Sequence, residues 1–140
     1  MKSIKDKEKE LLEDFRMLEE WNDRYDYIME MRNSIPLIDS SQKNENTRVE
    51  GCQSASWLAV EERDGKLYYR GDSEAILGKG VISMLLHLIN GHPAGEILDY
   101  DFHLVDAIEL RQHLSPIRRK GLESVMKRIK ELAKRFENDE

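Results

Sequence analysis

The chain has a single cysteine, three prolines and aromatic residues at only 7% of its 140 positions. One cysteine cannot close an internal disulfide, so a disulfide scaffold is excluded, and a free thiol fits the reducing cytosol best. One cysteine and four scattered histidines also lack the paired spacings of a zinc site, so no metal centre is expected. No run approaches the roughly 20 apolar residues of a membrane span. The start, Met1-Lys2-Ser3-Ile4-Lys5-Asp6, leads into charge without the apolar stretch of a secretory signal. These absences predict a soluble, cytoplasmic protein. The glycine-rich phosphate-binding patterns are missing, as are Cys-x-x-Cys and the resolving cysteine that a disulfide reductase or peroxidase uses. A net charge of −6, with 36% of residues charged, argues against nonspecific nucleic-acid binding. The densest basic patch is Arg118-Arg119-Lys120, read as a solvated surface or an interaction site.

What is present suffices for one domain over residues 1–140, which buries on the order of two-thirds of its unfolded surface and needs no staple. Leu11, Leu12, Phe15 and Leu18 recur at spacings of three and four between Lys5 and Glu20, predicting an amphipathic helix. Asn22 or Asp23 can cap a second helix that carries Trp21, Tyr25, Ile28 and Met31 toward the core and stops at Ile35-Pro36. Residues 36–50 are polar and aperiodic and read as a long connecting loop. Ser56–Arg63 and Lys66–Arg70 flank Asp64-Gly65, the signature of a type I′ hairpin, with Trp57, Ala59, Leu67 and Tyr69 on one face and Val49 in a short added strand. Gly71-Asp72-Ser73 offers a cap for an apolar helix through Ile76, Val81, Leu85 and Leu88, closed by Gly91 and Pro93. Gly78 and Gly80 within it predict close approach of another backbone. Helical turns follow around 94–98 and 105–110. Ser115 and Pro116 then start a last helix running to Glu137. The sum is an α+β fold: a small antiparallel sheet, hairpin plus short strand, packed against several helices.

Cys52 is the candidate for chemistry. It follows Glu50-Gly51 and precedes Gln53-Ser54, a loop setting, although a buried cysteine acting as a small hydrophobe is the alternative. A free thiol has a pKa of about 8.5, so it needs activation at neutral pH. Glu50 opposes ionisation and Arg48 favours it. His87, His92, His103 and His113 are the candidate distant bases, but each reads more readily as a surface or satisfied structural histidine. Cys52-Gln53-Ser54-Ala55-Ser56-Trp57 echoes papain-like proteases, but their Cys-Gly-Ser-Cys-Trp order and their distant His and Asn do not fit this chain. With no resolving thiol, a group taken up at Cys52 must wait for another molecule, as on a carrier.

The segment Arg48-Val49-Glu50-Gly51-Cys52-Gln53-Ser54 with Trp57 resembles the SufE/CsdE family of sulfur acceptor proteins. Three further blocks stand in the family's order. They are Trp21-Asn22-Asp23-Arg24-Tyr25-Asp26-Tyr27-Ile28-Met29-Glu30, then Gly71-Asp72-Ser73-Glu74-Ala75-Ile76 with Lys79-Gly80, then Leu114-Ser115-Pro116-Ile117-Arg118 with Gly121-Leu122. The resemblance implies a SufE/IscU-like fold and a sulfur relay. Cys52 would take persulfide sulfur from a SufS/CsdA-type cysteine desulfurase, stimulate that enzyme, and pass the sulfur to a SufBCD-type iron–sulfur scaffold. Pyridoxal phosphate would belong to the desulfurase, leaving this chain without a cofactor and without autonomous enzyme activity. Arg48, Gly51, Gln53, Ser54, Asp72 and Arg118 are the implied loop or partner-contact residues, Gly51 suiting a hinge; Asp72 reads alternatively as a simple helix cap. A noncatalytic adaptor of the desulfurase is the rival reading. A monomer or weak homodimer is expected.

Overall fold

A computed structural model describes residues 2–137. Helix α1 spans Ile4–Arg16, held at its start by a reciprocal cap in which Ser3 Oγ accepts the Asp6 N–H and the Asp6 carboxylate accepts the Ser3 N–H. It buries Ile4, Leu11 and Phe15 and stops short of Glu20; Met17, which follows it, is 83% exposed. Helix α2, Trp21–Glu30, begins two or three residues earlier than a cap at Asn22 or Asp23 would place it, and Glu20 at its start makes no capping bond. A 3-10 turn over Met31–Ser34 carries the chain to Pro36, where the expected stop falls.

Strands β1, Ser56–Arg63, and β2, Lys66–Ser73, pair antiparallel through a turn with positive φ at both Asp64 and Gly65. The inward face differs from the expected one. Leu58 faces Gly71 and Val60 faces Tyr69 across the ladder, so Leu58, Leu67 and Tyr69 are buried together while Trp57 and Ala59 point to the opposite side. All four β1 residues from Trp57 to Val60 are apolar, so alternation there is blurred, and register decided the face. β2 also runs on to Ser73, which makes Gly71-Asp72-Ser73 strand rather than cap. Helix α3, Ile76–Ile89, starts at Ala75 with no side-chain cap.

α3 is apolar almost all round, burying Val81, Ile82 and Met84 through Leu86, as a central helix does. Gly80 lies against the backbone of Ile28, where a Cβ would collide with the carbonyl, so α2 and α3 touch main chain to main chain. Short helices α4, Ala94–Asp99, and α5, His103–Ala107, lead to α6, Pro116–Lys134. Ser115 caps α6 through the Arg118 N–H and Pro116 opens it, as the sequence predicts; its end falls three residues before Glu137. The Tyr69 hydroxyl donates to the Ile129 carbonyl at 2.8 Å, tying β2 to α6. The result is an α+β fold whose two-stranded sheet lies against α3 and α6, with α1 and α2 packed on α3.

Residues 36–50 are less irregular than a plain loop. Pro36 and Ile38 bond with Gly71 on the outer edge of β2, and Thr47 and Val49 bond with Leu58 and Ser56 on the outer edge of β1, where Val49 adds the expected short pairing. Between these points Lys43 reaches Asp72 at 2.6 Å and lies 4.6 Å above the Trp57 ring. The segment therefore crosses the outer face of the hairpin.

Gly80→Ala is expected to cost about 1–3 kcal/mol, because the clash is with backbone and neither helix can yield locally. Gly95→Ala, with open space around it inside α4, should be neutral or stabilising by up to about 1 kcal/mol. Thermal denaturation of the two variants checks the contrast; equal midpoints would show that α2 and α3 do not depend on this contact.

Candidate functional site: a sheltered thiol on a helix rack

Past Val49, which is buried, the chain leaves the sheet and turns at Gly51 with φ of 91°, a conformation that glycine adopts without strain. A Cβ there would strike the Ser124 hydroxyl of α6. The next residue, Cys52, is half-buried and its Sγ lies 3.7 Å from the Gly121 carbonyl, with the thiol as donor. Upstream, Arg128 donates to the Asn46 carbonyl at 3.1 Å. Gly121, Ser124 and Arg128 follow one another at helical spacings of three and four, so they form one stripe of α6. The segment from Asn46 to Cys52 lies along that stripe, antiparallel to the helix.

Beneath Cys52 is a cavity of about 380 Å³ lined mainly by apolar side chains, among them Val81, Ile82, Leu114, Leu122 and Val125. Gln53, Ser54 and Arg118 also line it, and Ser54 is half-buried while Gln53 and Arg118 are exposed. Burial pushes the Cys52 thiol above its ordinary pKa, against a hydrogen bond from Ser56 and the positive charge of Arg48, which act the other way. Donation to Gly121 also favours the protonated form. In this arrangement the surroundings of the thiol raise its pKa rather than lower it.

No histidine or carboxylate lines the cavity among the described residues. His113 stacks on Trp21 with ring centroids 3.9 Å apart, and His92 is buried against Glu96. His87 and His103 are exposed. The four histidines thus stay apart from Cys52. No cluster of three potential metal-binding side chains occurs among the described residues, and no described helix is long and apolar enough to cross a membrane.

The predicted site residues separate into two groups. Gly51, Gln53, Ser54 and Arg118 gather around Cys52, and exposed Arg48 contributes its charge. Asp72 does not line the cavity. Its carboxylate takes the Lys43 ammonium at 2.6 Å and faces Lys79 at 3.6 Å. Burial would raise its pKa, but the hydrogen bonds from Lys43 and the Ser73 N–H, with the charges of Lys43 and Lys79, outweigh burial and hold it below the usual range. Through Lys43, Asp72 instead fastens the segment that leads to Cys52. Arg128 and Ser124 carry no local sequence signal for this role, although small residues at 121 and 124 beside the apolar stripe of α6 hint at a close neighbour.

A mixed α+β protein that presents one sheltered thiol, on a segment clamped along its last helix, is the class that fold and site define. The profile of the SufE family, described as an Fe-S metabolism associated domain, matches residues 9–133. An uncharacterized SufE-like protein of Rhizobium etli is 33% identical over 89% of this chain and 88% of its own length. One from Rhizobium meliloti is 32% identical over 86% and 90%. The chain belongs to the SufE family, whose association is with Fe–S metabolism. The solution structure of a hypothetical protein from Thermus thermophilus shares the fold with a TM-score of 0.76 at 21% identity, over 92% of this chain and 94% of that one.

Alkylation of Cys52 followed against pH should show a midpoint above the ordinary thiol value of about 8.5, because a raised pKa delays thiolate formation to higher pH. A midpoint at or below that value would contradict the sheltered state. Arg128→Met keeps the apolar stem but loses the bond to Asn46. If that bond contributes about 1 kcal/mol to the clamped arrangement, alkylation at neutral pH should speed up about fivefold. Gly51→Ala should do likewise; unchanged rates in both folded variants would show that α6 does not restrain the segment.

Proposed function

We propose that Cys52 accepts sulfane sulfur from the persulfide of a pyridoxal-phosphate-dependent cysteine desulfurase, thereby stimulating that enzyme, and delivers it to an iron–sulfur cluster scaffold. The observation that supports this best is the lone thiol above an apolar cavity with neither a base nor a second cysteine beside it. Such a thiol has no means of turning over a substrate alone. It suits a carrier that works between two other proteins in the cytoplasm, with no cofactor of its own.

In the transfer, the Cys52 thiolate attacks the outer sulfur of the donor persulfide. The bond between the outer sulfur and the donor cysteine breaks, a new S–S bond forms at Cys52, and the donor leaves as thiolate and takes up the proton that Cys52 gave up. One persulfide and one thiol exchange places with no net oxidation. Since Cys52 is half-buried with its thiol turned to the Gly121 carbonyl, the segment leaves the α6 stripe before attack, and the positive φ at Gly51 suits a hinge for that movement. Asp72 and Lys43 set how firmly the segment is held from upstream.

Incubation with the desulfurase and cysteine, followed by intact-mass measurement and peptide mapping, should place one added sulfur atom on Cys52. No adduct, together with stimulation that survives Cys52→Ala, would replace the carrier by a noncovalent adaptor. Asp72→Arg, which sets like charges against Lys43 and Lys79, should change the stimulation without unfolding the protein; an unaltered value would confine Asp72 to a structural role.

A further inference from the structure

The first turns of α6 hold Arg118, Arg119 and Lys120, all exposed and without an ion pair among the described residues. The placement opposes the helix dipole, whose positive end favours anions. Helices α1, α2, α4 and α5 follow that preference with Asp6, Asp23, Glu96 and Asp106 in their first turns, whereas α6 has no acidic residue in its own. Helix stability therefore gives no reason for the three cations, in a chain whose net charge is −6.

Their position supplies one. Arg118 lines the Cys52 cavity, the Lys120 side chain lies where a Cβ on Gly51 would just reach it, and Arg48 lies on the segment that leads to the thiol. At the same mouth Ile76 is 56% and Ile117 49% exposed, large apolar side chains left open to water. An apolar centre with a charged rim is the anatomy of a protein interface.

The sulfur donor has to meet this mouth, and from the unpaired cations beside it we infer that Arg119 and Lys120 set the rate of that encounter by attracting an acidic rim on the donor. The inference rests on the sulfur-acceptor reading for the donor's identity. A nucleic acid is a poorer fit, since the remainder of the chain is acidic and the centre of the patch is aliphatic. Rim charges act mainly on association and lose influence as salt screens them. Neither Arg119 nor Lys120 takes part in sulfur transfer.

The test is stopped-flow association of the full chain with the cysteine desulfurase of its source organism, across a range of ionic strength. Wild type should associate more slowly as salt rises. Arg119→Glu with Lys120→Glu should associate about tenfold more slowly at low salt, with a flatter salt dependence, while Arg119→Lys with Lys120→Arg keeps wild-type behaviour. Melting and Cys52 alkylation matching wild type exclude misfolding as the cause. A wild-type rate indifferent to salt, a reversal variant with an unchanged rate, or no association at all overturns the inference. Failure of the acceptor reading looks different: association intact, but no sulfur gained by Cys52.

Discussion

Two strands alone make too small a sheet to be stable in water, and the structure is arranged around that constraint. One face of the β1–β2 hairpin is closed by α3 and α6 through Leu58, Leu67 and Tyr69. Its edges, which would otherwise expose unpaired backbone, are occupied by residues 36–38 on β2 and 47–49 on β1. The chain segment that covers the edges is the one that presents Cys52. Its path is fixed as far as Val49 because the sheet needs it there, and it becomes free of the sheet only at the turn that bears the thiol.

The same economy explains how a cysteine with no local activator is kept. An exposed thiol in a chain without a resolving partner is open to oxidation, while a fully buried one is unreachable. Half-burial over an apolar cavity, with the thiol proton directed at the Gly121 carbonyl, lies between those limits. The cost of that burial is a raised pKa.

Much of this was legible in the sequence where the determinants are local. Ser115-Pro116, the Asp64-Gly65 turn and the continuous apolar surface of α3 each announce themselves within a few residues, because capping, positive φ and helical periodicity are short-range effects. Gly80 was legible as a close approach, though not that Ile28 was the neighbour. The face of β1 was not, since Trp57, Leu58, Ala59 and Val60 are all apolar and pairing decides which two turn inward. Asp72 looked like a cap because Gly71-Asp72-Ser73 precedes a helix, yet the strand opposite it extends to Ser56 and draws Ser73 into the ladder. Arg128 was invisible for a different reason: its partner, Asn46, is 82 residues away, and no local pattern encodes a contact of that range.

The stripe Gly121, Ser124 and Arg128 belongs to the same helix as the cations of its first turns, and this has a thermodynamic corollary. If a ligand at the start of α6 shifts the population of the lifted segment by some factor, then lifting the segment changes that ligand's affinity by the same factor. Chemical capping of Cys52, which prevents its return to the Gly121 carbonyl, would then be sensed at Arg118 with no signal passing through the core. On that reading one helix would serve as latch and as receiver, and the two roles would be reciprocal.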